Sequence, residues 1–225
     1  PLTGLLFGFL NGILVAKAKL PPFIATLGMM LVTQGFGSII SRVQTQRYPT
    51  IGTENEWFKT VFYRSGSFPT GALYLLAAFL IAAFVLSKTK FGRYVYAIGS
   101  NEEATRLSGV RVDKYKIMAY AICGLFCGFG AILFASTYTT ATPGTGNGFE
   151  TYAIAAVIIG GTSMAGGSGN MVGTLIGIFI MAVLKAGLSS LGLQAHWQTF
   201  FTGVVVIGAV LMDNFRVRAA QKVKV

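Results

Sequence analysis

Residues Lys88–Lys116 read KTKFGRYVYAIGSNEEATRLSGVRVDKYK, and this polar, basic segment lies between apolar runs long enough to cross a membrane. The whole chain is only 11% charged, whereas soluble domains usually carry about 25% charged residues. It is 53% hydrophobic and has a mean hydropathy of +0.65. A soluble fold of this size could not bury so much apolar surface. The composition therefore predicts an all-α, polytopic transmembrane helical bundle.

A short helix is predicted inside the basic segment. Asn101 is a favourable N-cap residue, and Glu102 and Glu103 follow in the first turn, where carboxylates suit the helix dipole. Gly109 occupies the position where a left-handed residue ends many helices. The predicted helix ends near Ser108 and has about two turns, too few to be stable alone in water. We interpret it as a docking element that another protein holds.

We expect about seven membrane segments in a single transmembrane domain covering residues 1–225, with one segment short or broken. They are Leu2–Ala16, Phe23–Ile40, Gly71–Leu86, Ile117–Thr137, Phe149–Gly161, Met171–Leu191 and Trp197–Met212. The fifth has only about 13 residues, below the roughly 20 that cross a bilayer. A glycine-rich run follows it, which favours a tilted, broken or partly re-entrant helix. Because the chain starts inside an apolar run without Met, we expect further spans upstream.

Glycines recur at every fourth residue in several of these segments, a pattern typical of close helix packing in membranes. The first segment carries Gly4, Gly8 and Gly12. The positions that we predict to form further packing faces are Gly124, Gly128, Gly169, Gly173 and Gly177. Cys123 and Cys127 lie one helical turn apart, and we interpret them as small buried residues in preference to a disulfide or metal pair.

The distribution of basic residues predicts the orientation. The segment Lys88–Lys116 carries seven Lys or Arg residues and the C-terminal tail carries four, so the positive-inside rule places both in the cytoplasm. An even number of crossings must then separate them, which requires Phe149–Gly161 to cross. Topology also explains the net charge of +11 better than nucleic-acid binding does, since the charges do not follow one face.

Three stretches together resemble one transporter family. They are GRYVYAIGSNEEATRLSGVRV, ETYAIAAVIIGGTSMAGGSGNMVGTLIGIFIMAVLKAGLSSLGL and VVVIGAVLMDNFR. As a set they are similar to the membrane permeases of monosaccharide ABC importers of the ribose-permease type. The resemblance runs from about Gly4 to Asn214, nearly the whole chain.

The resemblance implies a permease of the bacterial inner membrane that works as two copies with two ABC ATPase subunits. An extracytoplasmic sugar-binding protein would deliver the substrate. The family's coupling helix corresponds to Asn101, Glu102, Glu103, Ala104, Arg106, Leu107, Ser108, Gly109 and Val110. Thr105 departs from the family, which often has alanine there.

The chain itself shows no means of using ATP and no catalytic set. No Walker A pattern, G-x-x-x-x-G-K-[ST], occurs in the sequence, and the glycine-rich run lacks its lysine. His196 is the single histidine, and we interpret it as a membrane-interface residue beside Trp197. We therefore expect no enzyme activity and no cofactor or metal in this chain, with ATP bound by the partner subunit.

A path for a neutral sugar needs hydroxyls, amides and aromatic faces. The candidate pathway or gate residues around the short segment are Glu150, Tyr152, Thr162, Ser163 and Asn170. Glu150 is alternatively a helix-start acid at the outer surface. Lys185 is expected to extend to the membrane surface in preference to lining the path.

The predicted function is thus the permease subunit of an ATP-driven importer for a ribose-like pentose or a hexose. Two alternatives remain open at this point: a permease of the related branched-chain amino acid importers, and a secondary transporter or channel that works without ATP. Secondary transporters usually carry charges within the membrane, and here the predicted segments carry almost none apart from Lys185. A purely structural membrane anchor would have little need for a broken helix.

Overall fold

The computed structural model describes residues 1–48, 57–62, 70–192 and 194–222, which are almost entirely helical. The helices are α1 (Leu2–Ala16), α2 (Pro22–Ile40), α3 (Trp57–Phe62), α4 (Thr70–Lys88), α5 (Lys90–Ser100), α6 (Glu102–Leu107), α7 (Val112–Thr137), α8 (Phe149–Ile159), α9 (Met171–Ser190) and α10 (Ala195–Lys222). Two short strands, β1 (Gln46–Arg47) and β2 (Thr140–Ala141), pair antiparallel.

Within the described residues, four helices are long and apolar enough to cross a membrane: α2, α4, α7 and α9. Two shorter helices, α1 and α8, are also apolar. Many large apolar side chains on these helices face outward, for example Phe84 at 62% and Val183 at 69% exposure. Such exposure would be costly in water and is expected in lipid. The predicted all-α, multi-pass membrane fold is confirmed.

The chain forms two compact units. The first contains Pro1–Val95 and Glu103–Thr145, and the second contains Tyr96–Glu102 and Gly146–Val225. The boundaries fall inside α5 and inside α6, so the basic segment passes from the first unit into the second and back again.

In the first unit, α1 packs against α7 through glycines on both helices. A Cβ atom added at Gly124 would lie 2.9 Å from the Cα of Gly8, and one added at Gly128 would lie 2.7 Å from the Cα of Pro1. At Gly12 the added atom would lie 2.7 Å from the Cα of Ile117. No room for a methyl group remains between the backbones, so glycine permits this approach.

In the second unit, α8 packs against α9 in the same way. An added Cβ at Gly160 would lie 2.6 Å from the backbone nitrogen of Thr174, and at Gly177 it would meet the Ala156 carbonyl. Gly173 in turn faces the carbonyl of Gly160. Gly169 differs from the expectation, because it lies in the loop before α9 and faces the side chain of Thr162.

Three local expectations need correction or refinement. Cys123 and Cys127 are free and exposed, so the prediction that they are buried was wrong. They lie off the face of α7 whose glycines receive α1, where membrane lipid can cover apolar residues. The basic segment contains a second helix, α5, that was not predicted. The helix over Phe149–Ile159 is short, with 11 residues.

Candidate functional site

The short helix predicted in the basic segment is α6, one residue shorter than expected. Gly109 adopts the left-handed conformation with φ of +82°. Its N–H donates to the Arg106 carbonyl at 3.0 Å, and the N–H of Val110 donates to the Thr105 carbonyl at 3.4 Å. This pair of hydrogen bonds is the Schellman motif, which satisfies the last carbonyl groups of a helix. The sequence at Gly109 thus sets where α6 ends.

The two faces of α6 differ sharply in exposure. Thr105 is the buried residue of the helix, with 8% of its surface accessible, whereas Leu107 is 84% exposed. The other exposed residues of this element are Asn101, Glu103, Ala104, Arg106, Ser108 and Gly109. Glu102 and Val110 are half-buried. Leu107 is therefore an exposed apolar side chain among charged and polar ones.

An ion pair ties α6 to the start of α7. The Arg106 guanidinium lies 3.5 Å from the carboxylate of Asp113, and both side chains are about half exposed, at 52% each. Such a surface pair contributes at most about 1 kcal/mol, so its role is to orient Arg106 more than to stabilise the fold. Val112, one residue before Asp113, is 2% exposed and anchors the beginning of α7.

Only Asn101 separates α6 from α5. Its backbone N–H donates to the Ala97 carbonyl at 3.0 Å, which continues the hydrogen bonding of α5 to this point. The next residue, Glu102, begins α6. The two helices are therefore joined by a single residue.

The loop after α8, Gly160–Asn170, is held by its own hydrogen bonds and by α10. The Ser163 hydroxyl donates to the Asp213 carboxylate at 3.3 Å, and the Met164 N–H donates to the same oxygen, Oδ2, at 3.0 Å. Asn170 uses its Oδ1 to accept from the N–H of Val172 at 2.9 Å, so it caps α9. Three of the pathway candidates, Thr162, Ser163 and Asn170, thus belong to this loop.

The other two pathway candidates lie at the opposite end of α8. Glu150 is exposed in the first turn of that helix, and Tyr152 is half-buried. The ammonium of Lys185 lies 5.2 Å from the centroids of both the Tyr152 and the Phe149 rings, a cation–π arrangement. Since α8 is about 16 Å long at 1.5 Å per residue, the structure does not bring the five candidates into one site.

Sequence reasoning missed three residues of this region. Thr105 was noted only as a departure from the family, yet it is the residue that α6 buries. Asp213 was not recognised as a partner of the glycine-rich loop, although it is an acid at the membrane edge, one residue after the last predicted span. Tyr96, whose hydroxyl reaches the Gly169 carbonyl, gave no signal in the sequence.

The side chains that could ligate a metal are dispersed in the part of the chain that the structure describes. No group of three or more His, Cys, Asp or Glu side chains is assembled there. His196 is exposed and lies beside Trp197, with 6.1 Å between the ring centroids.

Known proteins of similar sequence are bacterial permeases. The ribose import permease protein RbsC of Escherichia coli K12 is 43% identical over 217 residues, which cover 94% of this chain and 66% of that protein. RbsC of Bacillus subtilis 168 is 40% identical over 91% of this chain and 63% of that protein. The galactose/methyl galactoside import permease protein MglC of Haemophilus influenzae is 36% identical, covering 95% and 64%.

The chain therefore spans about two thirds of the length of these relatives. No solved structure matches it. The family model described as "Branched-chain amino acid transport system / permease component" matches residues 2–210. The resemblance to the ribose-type permeases is thus confirmed, and the helices are those of a multi-pass protein of the bacterial inner membrane. The chain belongs to this family of ABC-importer permease components.

Proposed function

We propose that the protein is the membrane-spanning permease subunit of an ATP-driven importer of a monosaccharide, with a ribose-like pentose as the first candidate. The observation that carries the proposal is the 43% identity to the E. coli ribose import permease across 94% of this chain. The galactose/methyl galactoside permease of Haemophilus influenzae is 36% identical, as is the ribose permease of the same organism, and a hexose is therefore the second candidate.

In this proposal α6 is the element through which a separate ATPase drives the permease. Its support is the combination of a rigid C-terminal cap at Gly109 and a highly exposed Leu107. Arg106 and Glu103 add charges of both signs beside the leucine. A partner protein could bury the leucine and pair these charges, whereas solvent alone would favour a polar residue at that position. ATP is bound and hydrolysed by that partner.

The remaining partners follow from the class of transporter proposed. A sugar-binding protein would deliver the substrate at the end of α8 that carries Glu150 and Tyr152. A second permease copy would complete the path, since the exposed apolar faces of α4 and α9 offer surface for another membrane protein as well as for lipid. Tyr152 and Lys185 are the groups at that end that offer an aromatic face and hydrogen-bond donors to a sugar.

The test is transport by proteoliposomes that contain the full-length permease and its ATPase, with the sugar-binding protein added outside. We expect accumulation of labelled ribose that requires ATP hydrolysis and the binding protein. Labelled galactose and leucine, each supplied with the appropriate binding protein, are the comparison substrates.

Two results would contradict the proposal. Accumulation of leucine without any sugar would assign the protein to the amino acid importers that the family description names. Ribose uptake driven by an ion gradient in the absence of ATP would identify a secondary transporter. Uptake of galactose in place of ribose would retain the mechanism and change the substrate.

A further inference from the structure

The glycine-rich loop Gly160–Asn170 is in backbone contact with the C-terminal end of α5. A Cβ added at Gly99 would lie 2.5 Å from the Gly167 nitrogen, and one added at Gly166 would lie 2.8 Å from the Gly99 carbonyl oxygen. A Cβ added at Gly167 would lie 2.8 Å from the Cα of Ser100. Gly166 and Gly167 also have φ of +86° and +73°, which side chains rarely adopt. This contact requires glycine at all three positions.

A side chain adds a second connection between the same two elements. The Tyr96 hydroxyl donates to the Gly169 carbonyl at 3.2 Å, one turn of α5 before Gly99. The tyrosine is half-buried, so water competes only weakly for this carbonyl. Contacts at two separate points resist rotation of the loop about either one.

On its other side the loop is fastened to α10 by Asp213. One carboxylate oxygen accepts hydrogen bonds from both the Met164 N–H, at 3.0 Å, and the Ser163 hydroxyl, at 3.3 Å. The Ser163 hydroxyl oxygen also accepts the Ala165 N–H at 3.2 Å. Hydrogen bonds to a carboxylate are roughly twice as strong as neutral ones. The carboxylate therefore holds the first half of the loop in one conformation.

The loop is also continuous with two helices, α8 and α9, that pack backbone to backbone. Gly160 faces Gly173, and Ala156 faces Gly177, with backbone in contact at both places. A displacement of the loop would thus be passed to α8 and α9 as a pair. Since only Asn101 separates α5 from α6, the contacts form a path from the docking helix to these membrane helices.

From this arrangement we infer that Asp213 and Tyr96 are positioning residues for transport, because they hold the glycine-rich loop as the relay between α6 and the pair α8–α9. The inference rests on the proposed function, since it assumes that α6 receives the ATPase. Neither side chain touches the substrate or the ATPase in this scheme. Without these side chains the ATPase should still bind the permease and hydrolyse ATP. Hydrolysis should, however, no longer drive sugar transport efficiently.

The test uses Asp213→Ala, Asp213→Asn and Tyr96→Phe in the complete transporter. Copurified ATPase, ATP turnover and sugar uptake are measured on the same preparations, together with the amount of permease in the membrane. We expect Asp213→Ala to retain the ATPase and its turnover while uptake per ATP falls at least tenfold. Asp213→Asn should recover uptake to within about threefold, because the amide oxygen can accept the same two hydrogen bonds.

Tyr96→Phe keeps the ring and removes only the hydroxyl, so we expect a smaller loss of uptake per ATP, about threefold. Tyr94→Phe is the matched control on the same helix, since the Tyr94 ring packs edge-on against Tyr115, with 4.8 Å between centroids. It should transport like the wild type.

Unchanged uptake per ATP in both Asp213→Ala and Tyr96→Phe would overturn the inference. So would loss of the ATPase from either variant, since that places the residue in docking. If Asp213→Ala does not accumulate in the membrane, the inference is tested by the sugar uptake per ATP hydrolysed in Asp213→Asn and Tyr96→Phe. Failure of the wild type to bind an ATPase or to import sugar would instead contradict the proposed function, so the two failures are distinguishable.

Discussion

The hydroxyl of Tyr96 donates a hydrogen bond to the backbone carbonyl of Gly169, 3.2 Å away and 73 residues later in the chain. It joins the helix that leads into α6 to the loop that leads into α9. It acts together with the backbone contact of Gly99 with Gly166 and Gly167. Tyr96–Glu102, the part of the basic segment that belongs to the second unit, is thereby joined to the glycine-rich loop of the same unit.

The cap of α6 gives the first prediction. Gly109→Val should reduce sugar uptake at least tenfold, because a β-branched residue strains the left-handed conformation by more than about 1–2 kcal/mol. The space around Gly109 is open, with no atom within 4 Å of an added Cβ, so the effect should arise from backbone strain and not from overlap. Immunoblots of membranes should show unchanged permease.

The control for this prediction is Gly109→Asn, since asparagine tolerates the left-handed region. It should retain most of the uptake. Normal uptake by Gly109→Val would show that the end of α6 need not be rigid, and the docking assignment would then lose its main structural support.

The exposed leucine of α6 gives the second prediction. Leu107→Ala should weaken binding of the ATPase roughly tenfold, the effect of removing one central apolar contact of about 1.4 kcal/mol from an interface. The melting temperature of the permease should not change, because Leu107 is 84% exposed. Binding is measured by titrating the purified ATPase against the permease in detergent or nanodiscs.

Leu191→Ala is the matched substitution, because Leu191 follows α9 and is 76% exposed. On the predicted topology it lies on the other side of the membrane from α6, so ATPase binding should be unaffected. Equal weakening by both substitutions would indicate a general defect of the protein.

The third prediction concerns the packing of α1 on α7. Gly124→Leu should lower the melting temperature by about 4–10 °C, because overpacking costs about 1–3 kcal/mol and the neighbouring atoms are backbone. An added Cβ at Gly124 would already lie 2.9 Å from the Cα of Gly8. Thermal unfolding of the purified protein, followed by tryptophan fluorescence or light scattering, measures the shift.

Gly130 lies on the same helix and has no atom within 4 Å of an added Cβ. Gly130→Leu should therefore leave the melting temperature within about 2 °C of the wild type. If both variants lowered the melting temperature to a similar extent, α7 would tolerate no bulky residue at either position. The packing of glycines against α1 would then not be the cause of the destabilisation.

The fourth prediction tests the orientation of α8. In a Cys123→Ala, Cys127→Ala background, a cysteine at Glu150 should react with a membrane-impermeant maleimide in intact cells. A cysteine at Ala165 should react only after the membrane is opened, because Ala165 is exposed but lies beyond the other end of α8. Reaction of both from outside would mean that α8 does not cross.

Much of this fold could be predicted from the sequence, because its signals are local. Hydropathy alone located α2, α4, α7 and α9, since a span in lipid must satisfy its own backbone and cover it with apolar side chains. The end of α6 followed from Gly109, whose conformation is a property of one residue.

Other features were decided by tertiary structure, because they depend on which backbones meet. The four-residue separation of Gly124 and Gly128 predicted a close contact with another helix, but only the structure shows that this helix is α1. The same spacing predicted that Gly169 lies on the packing face of a helix, and this was wrong because Gly169 belongs to the loop before α9. The partners of Tyr96 and Asp213 lie 73 and about 50 residues away in sequence, and hydropathy carries no information about such distant pairs. The sequence by itself determined a multi-pass permease with a short, capped helix between its spans, and the packing of glycine backbones decided which elements meet beside that helix.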